Sequence, residues 1–178
     1  MASNREYCFP FDSPFGRLHV GYRPADLAVT GIYLSLPPSD SQPAPLDGLV
    51  SPSPPSPVDS IIALLSAYFE GRPIAPPWDL LALAPFSALQ RAVWQKTADI
   101  AFGTLSTYKA LAAKIGRPGA FRFVGTALGK NPYPVLIPCH RVIRSDGGLG
   151  GFGSGVAVKK QLIEFERIRT GSNPCTYR

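Results

Sequence analysis

Residues 37–57, PPSDSQPAPLDGLVSPSPPSP, carry eight of the chain's 20 prolines. Proline has no N–H to give to a helix or a ladder, and it drives the residue before it toward extended backbone. Such a run can build neither a sheet interior nor a helix, so whatever packs must pack on either side of it. It reads as an exposed, partly extended loop. An insertion tolerated at a surface accounts for it, because lengthening a loop costs little entropy; a proline-motif ligand is the alternative.

Before the run, SPFGRLHVGYRP and LAVTGIYLSL cluster β-branched and aromatic residues between turn formers, which predicts two or more strands of one sheet. After it, VDSIIALLSAYFEGR has apolar residues at helical spacing, with Asp59 or Ser60 as the cap and Gly71 as the stop. PIAPPWDLLALAP reads as the connection to a second half. There PFSALQRAVWQKTADI predicts a helix with Phe86, Leu89, Val93 and Trp94 facing inward. GTLSTYKALAAKIGRPGAFRFVGTALGKNP then predicts a helix over 106–115, a stop at Gly116, a turn, and a helix over 120–128. That is the pattern of a helix-turn-helix, although any two short packed helices share it. Arg122 and the small residues Gly125, Thr126 and Ala127 lie on its second helix, where a backbone could come close to a nucleic-acid groove. SDGGLGGFGSG, with six glycines, suits a loop that closes over something, and VAVKKQLIEFERIR ends the pattern as a helix carrying Glu166.

Charge divides the chain near Pro85. Residues 1–85 hold 4 Lys/Arg against 8 Asp/Glu, and residues 86–178 hold 14 against 4. The second half is where an anionic partner would dock, a merely solvated basic surface being the other reading. At 178 residues with 45% hydrophobic and 17% charged residues, the chain has material for a real core. No apolar run is long enough to span a membrane, and MASNREYCFPFDSP lacks a basic segment followed by an apolar one, so a location in the cytoplasm, or the nucleus of a eukaryote, is expected. Cys8, Cys139 and Cys175 form no CxxC pair, which points to reduced thiols and no zinc site.

Cys139 stands next to His140 and Arg141 in NPYPVLIPCHRVIRSDG, directly after Val135, Leu136 and Ile137, which read as buried strand. A thiol becomes a nucleophile when its thiolate is favoured by an imidazole or a cation, and a carboxylate commonly orients the imidazole. Cys139, His140 and Glu166 supply those roles. Neighbouring residues on an extended chain point to opposite sides, so a turn at the strand's end or a bridging water must close the gap. A buried, inert cysteine beside a histidine bonded to backbone is the competing reading.

PCHRV resembles the active-site signature of the 6-O-alkylguanine-DNA alkyltransferases, also called methylated-DNA–protein-cysteine methyltransferases. SPFGRL is similar to the first strand of their N-terminal domain, FSALQRAVW and GTLSTYKALAAKIG to their helices, RFVGTALGKNPYPVLIPCHRV to their core motif, and GFGSGVAVKKQLIEFE to their closing segment. The resemblance implies an α/β (α+β) protein of two domains: a ribonuclease-H-like N-terminal domain, 1–85, and a helical domain, 86–178, with a winged-helix-like helix-turn-helix. It further implies a monomer that binds duplex DNA containing 6-O-alkylguanine, without membrane, metal or cofactor, and moves the alkyl group once onto Cys139. His140 would act as base through a water, Glu166 would orient it, and Asn131 would tie the helix-turn-helix to the active-site strand. Tyr108 would help to extrude the nucleotide and donate to the departing guanine. Arg122 would fill the vacated place in the stack, with Gly125, Thr126 and Ala127 against the minor groove. Val142, Phe152, Gly153 and Ser154 would line the substrate pocket.

Two departures stand out. Phe152-Gly153-Ser154-Gly155 replaces the family's Tyr-Ser-Gly-Gly or Phe-Ser-Gly-Gly, and DIAFG lacks the turn proline of Ile-Pro-x-Gly at Ala101. The zinc held by the N-terminal domain of some relatives has only Cys8 and His19 to bind it here, too few ligands for a closed site. An alkyltransferase-like lesion binder is the rival reading, against which Cys139 itself argues, and a cysteine hydrolase is another. The accepted alkyl size and cooperativity on DNA stay open at this level.

Overall fold

A computed structural model describes residues 6–34 and 53–171. Most of the proline-rich run, and Cys175, lie outside the described residues. The chain falls into two compact units, Met1–Leu83 and Ala84–Arg178, and the described residues form a mixed α/β architecture with two small sheets and five α-helices.

In the first unit β1 (Tyr7–Ser13), β2 (Gly16–Tyr22) and β3 (Val29–Leu34) form an antiparallel meander. Gly16, at φ 96°, takes the left-handed turn position between β1 and β2, and Ser13 Oγ donates to its carbonyl at 2.7 Å. Leu18 lies opposite Leu34 and Val20 opposite Ile32. This buried face meets Val58, Ile61, Leu65 and Tyr68 of α1 (Ser56–Phe69). A parallel bridge from Val29 to Leu81 adds a short edge.

Helix α1 starts earlier than a cap at Asp59 or Ser60 would set it. Pro55 stands at the cap position in extended backbone and Pro57 lies in the first turn. Proline is tolerated there because its missing N–H has no intrahelical partner to lose. Val58 and Asp59 donate their N–H groups to the Pro55 carbonyl, so the end of the proline-rich run opens a helix. Gly71, at φ 89°, follows its end as expected.

The second unit is built on α2 (Ala88–Ala98), α3 (Tyr108–Lys114), α4 (Phe121–Gly129) and α5 (Val156–Thr170). Ser87 and Gln90 close a capping box at the start of α2. Ser106 and Thr107 form β4, which pairs in parallel with β5 (Val142–Ile143); α3 therefore begins at Tyr108, with the Thr107 hydroxyl accepting from Ala110 N at 3.1 Å. Gly116, at φ 71°, makes the turn into α4.

Trp94 joins these helices. It has no exposed surface, its ring stands edge-on to Phe86 at 4.7 Å, and its Nε1–H donates to the Ala127 carbonyl at 2.9 Å. Ala127 is 1% exposed and belongs to this core. The sequence expectation that it lies against DNA is corrected, because its helix turns that position toward α2. Among the described residues no helix is long and apolar enough to cross a membrane. Truncating Trp94 to alanine is expected to cost about 3–5 kcal/mol, read by urea denaturation, since it opens a cavity and strands a buried carbonyl.

Candidate active site

Cys139 reaches its place through a compact turn. The Asn131 side chain closes that turn from both sides: Oδ1 accepts from Tyr133 N at 3.0 Å, and Nδ2 donates to the Ile137 carbonyl at 2.9 Å and to Cys139 Sγ at 3.1 Å. Val135, Leu136 and Ile137 are buried, as their sequence suggests, but they form turns rather than the expected strand. Val135 sits at φ 74°, costly for a β-branched residue, and the Ile137 N–H returns to the Tyr133 carbonyl at 2.9 Å. Three prolines deny this segment a ladder, and Asn131 supplies the replacement bonds.

Cys139–Arg141 is one turn of 3-10 helix, not strand. This removes the objection that adjacent side chains of an extended chain must diverge. His140 is fully buried and its Nε2 lies 2.7 Å from Glu166 Oε1. Arg141 reaches the same carboxylate through Nε at 3.1 and 3.0 Å and Nη2 at 2.9 Å, and donates Nη1–H to the Ile100 carbonyl at 2.6 Å. Gly103 N donates to Glu166 Oε2 at 2.9 Å.

The charge states follow. Burial pushes the Glu166 carboxyl up, but hydrogen bonds and charge from His140 and Arg141 outweigh it and hold it at about 2. Burial holds the His140 imidazole below its ordinary range against the pull of Glu166. A neutral imidazole beside an ionised carboxylate must carry its proton on Nε2, which leaves the Nδ1 lone pair as the base. Burial also raises the Cys139 thiol, while the Asn131 hydrogen bond and the charge of Lys159 lower it. At rest Cys139 is a thiol that needs help to ionise.

Lys159 is the residue that sequence reading missed. It is fully buried on α5, and its Nζ donates to the carbonyls of Val142 at 2.6 Å and Leu149 at 2.5 Å, with Gly151 O and Tyr108 Oη at 3.4 Å. Burial lowers its pKa to about 8, against the pull of Cys139. The signal was present: the buried positions of α5 are Val158, Lys159, Leu162, Ile163 and Glu166, so helical spacing puts one lysine of the Lys-Lys pair on the inner face. Tyr108 stays protonated, its hydroxyl raised by burial and by Cys139.

Beside Tyr108 opens a cleft of about 440 Å³, lined by Tyr108, Phe121, Gly125, Gly129 and residues 150–153. A Cβ on Gly150 would come within 2.6 Å of the Tyr108 hydroxyl, so only glycine fits there. Of the expected pocket residues, Phe152 and Gly153 line the cleft. Val142 is fully buried with its carbonyl accepting from Lys159, and neither Val142 nor Ser154 is among the residues that line this cleft. Arg122 and Thr126 are exposed on α4. No group of three metal-ligating side chains occurs among the described residues.

A helix-turn-helix packed beside a buried thiol with an imidazole, carboxylate and guanidinium defines a DNA-binding protein with a cysteine site, and residues 88–168 match the 6-O-methylguanine DNA methyltransferase DNA-binding domain. A mouse methylated-DNA–protein-cysteine methyltransferase is 37% identical over 173 residues, covering 90% of this chain and 81% of the mouse protein. The protein of that name from Methanosarcina barkeri is 42% identical over 102 residues, 57% of this chain and 63% of its own length, so the match spans under two thirds of that relative. The crystal structure of Mycobacterium tuberculosis O6-methylguanine methyltransferase superposes with a TM-score of 0.71 at 30% identity, covering 96% of both chains. The structure of the mycobacterial protein in complex with DNA gives 0.70 at 31% identity, covering 92% of this chain and 94% of that one. The chain belongs to the methylated-DNA–protein-cysteine methyltransferase family.

Three expectations follow from the buried charges. His140 and Glu166 both bind protons less readily folded than unfolded, so their contribution is complete above the ordinary histidine value of 6.5 and is lost as pH falls. The urea midpoint should therefore drop from pH 7 to pH 4. Glu166→Gln should be less stable at pH 7 by about 3–5 kcal/mol, through the stranded Arg141, and should fall less steeply in acid. Lys159→Met unties the Val142 carbonyl of β5 and the Leu149 carbonyl of the glycine-rich segment, so trypsin should cut faster after the exposed Arg144, read by timed digestion.

Proposed function

We propose that this protein repairs duplex DNA by moving the alkyl group of 6-O-alkylguanine onto Cys139 Sγ, once per molecule. The observation that carries the reading is the Cys139 thiol, held by Asn131 beside the buried His140–Glu166–Arg141 group. His140 Nδ1 takes the thiol proton through a water. Sulfur attacks the alkyl carbon in line, the S–C bond forms as the C–O bond breaks, and the electron pair leaves on guanine. The Tyr108 hydroxyl donates a hydrogen bond to that developing anion, which regains a proton as His140 returns to neutrality. Lys159 steadies the thiolate by its charge and holds the cleft wall by its hydrogen bonds. The product is a thioether, which no group of this site can hydrolyse.

Extruding the nucleotide costs a few kcal/mol, less for a lesion that pairs badly. Arg122, exposed on α4, offsets part of that cost by entering the stack. Gly125 and Thr126 let the helix approach the minor groove. A ribonuclease-H-like first unit, a winged-helix-like second unit and a monomeric state complete the proposal. The parallel Val29–Leu81 bridge beside the meander supports the first of these, and the two-residue β4–β5 pair beside α3 and α4 supports the second. A lesion binder without transfer chemistry would have no use for Cys139.

Intact mass after incubation with methylguanine duplex should rise by one methyl group on the peptide containing Cys139, stop at one equivalent, and vanish in Cys139→Ser. Turnover beyond one equivalent would instead indicate a hydrolase. Arg122→Ala should slow repair of duplex by about tenfold or more while leaving transfer from free benzylguanine near wild type, since only duplex must be opened. Equal loss on both substrates would make Arg122 structural.

A further inference from the structure

Helix α4 presents two parallel rows to the outside of the cleft and to its interior. Phe121, Gly125 and Gly129, four residues apart, all line the cleft. Arg122, Thr126 and Lys130, the adjacent row, are all exposed. The inner row forms one wall of the cleft. Its Gly129 end is two residues from Asn131, which touches Cys139 Sγ, and Phe121 stands at the other end, about 12 Å away at the rise of an α-helix.

Phe121 is anomalous for that place. The rest of its row is glycine, yet this residue is a large aromatic left 38% exposed at the first position of the helix. It stands at the end of the row opposite Asn131, the residue that holds the thiol. Its neighbour in sequence is Arg122, exposed on the adjacent row and part of the basic half of the chain. An uncovered ring at the mouth, beside an exposed cation, has the chemistry of an apolar wedge that stacks on a base as a strand is opened.

We infer that Phe121 is a second DNA-engaging residue, an aromatic wedge at the mouth of the cleft that stacks on a base of the opened duplex beside the extruded nucleotide. Arg122 supplies charge and hydrogen bonds at that step, and Phe121 supplies a flat apolar face. The inference rests on the DNA-repair reading above, and its experiment separates the two.

Phe121→Ala and Phe121→Trp are compared with wild type on methylguanine duplex and on free benzylguanine. Phe121→Ala should slow duplex repair at least about fivefold more than it slows the free-base reaction, because only the duplex offers a base to stack on. Phe121→Trp should keep duplex repair near wild type. Its added indole emission, beyond that of Trp78 and Trp94, should be quenched when lesion duplex binds. Equal loss on both substrates, or none on either, overturns the wedge, as does unquenched emission from Phe121→Trp on bound duplex. If Phe121→Ala fails to fold, the tryptophan variant decides. If wild type transfers nothing from either substrate, the repair reading fails, while the quenching still reports whether Phe121 meets a base.

Discussion

One buried carboxylate holds the second unit's chemistry together. Glu166, 2% exposed, accepts from the His140 ring, from two nitrogens of Arg141 and from the Gly103 backbone. Burying a carboxylate is expensive unless its lone pairs are filled, and here a full cation and several directed donors fill them. The bonds join α5, the 3-10 turn of Cys139–Arg141 and the loop before α3, three pieces of chain far apart in sequence. Arg141 adds a bond to the Ile100 carbonyl, so the turn that carries the thiol is braced from two directions. Arg141 has no transfer chemistry to perform. It neutralises Glu166, and that lets the buried His140 imidazole stay neutral.

A second buried charge serves the cleft. Lys159 gathers the carbonyls of Val142 and Leu149, one on β5 and one in the glycine-rich segment, and approaches the Tyr108 hydroxyl. The many glycines leave that segment few side chains with which to anchor itself, and one ammonium with three donors does the anchoring instead. Gly150 lets the segment pass against Tyr108 where any Cβ would collide. The wall of the cleft, the phenol at its side and the electrostatics of the thiol are thus coupled through one side chain.

Much of this was legible. Helical spacing gave α2 to α5 nearly to their ends, and Gly71 and Gly116 marked stops by their freedom to take positive φ. The cluster Cys139, His140, Glu166 and Asn131 was named from residue chemistry and family resemblance, and the fold brings all four together. The misses share one cause: a local pattern cannot say which backbone groups a neighbour will satisfy. Val135 to Ile137 have the composition of a strand, but prolines and the Asn131 side chain close them into turns. Ala127 is small enough for a groove, yet Trp94 claims its carbonyl. Helical spacing puts Lys159 on an inner face, but the three carbonyls and the phenol around it come from other segments.

The sequence by itself determined where helices could run, where prolines forbade regular structure, which half was basic and which thiol had an imidazole beside it, because these depend on the chemistry of residues near one another in the chain. Only the tertiary structure decided which charges are buried. Glu166 and Lys159 lie on the inner face of one helix, and their meaning comes from partners that close on them from other segments, Arg141 and Gly103 on one side and Val142 and Leu149 on the other. Desolvation turns those contacts into shifted proton affinities, and desolvation is a property of the packed chain, not of any stretch of it.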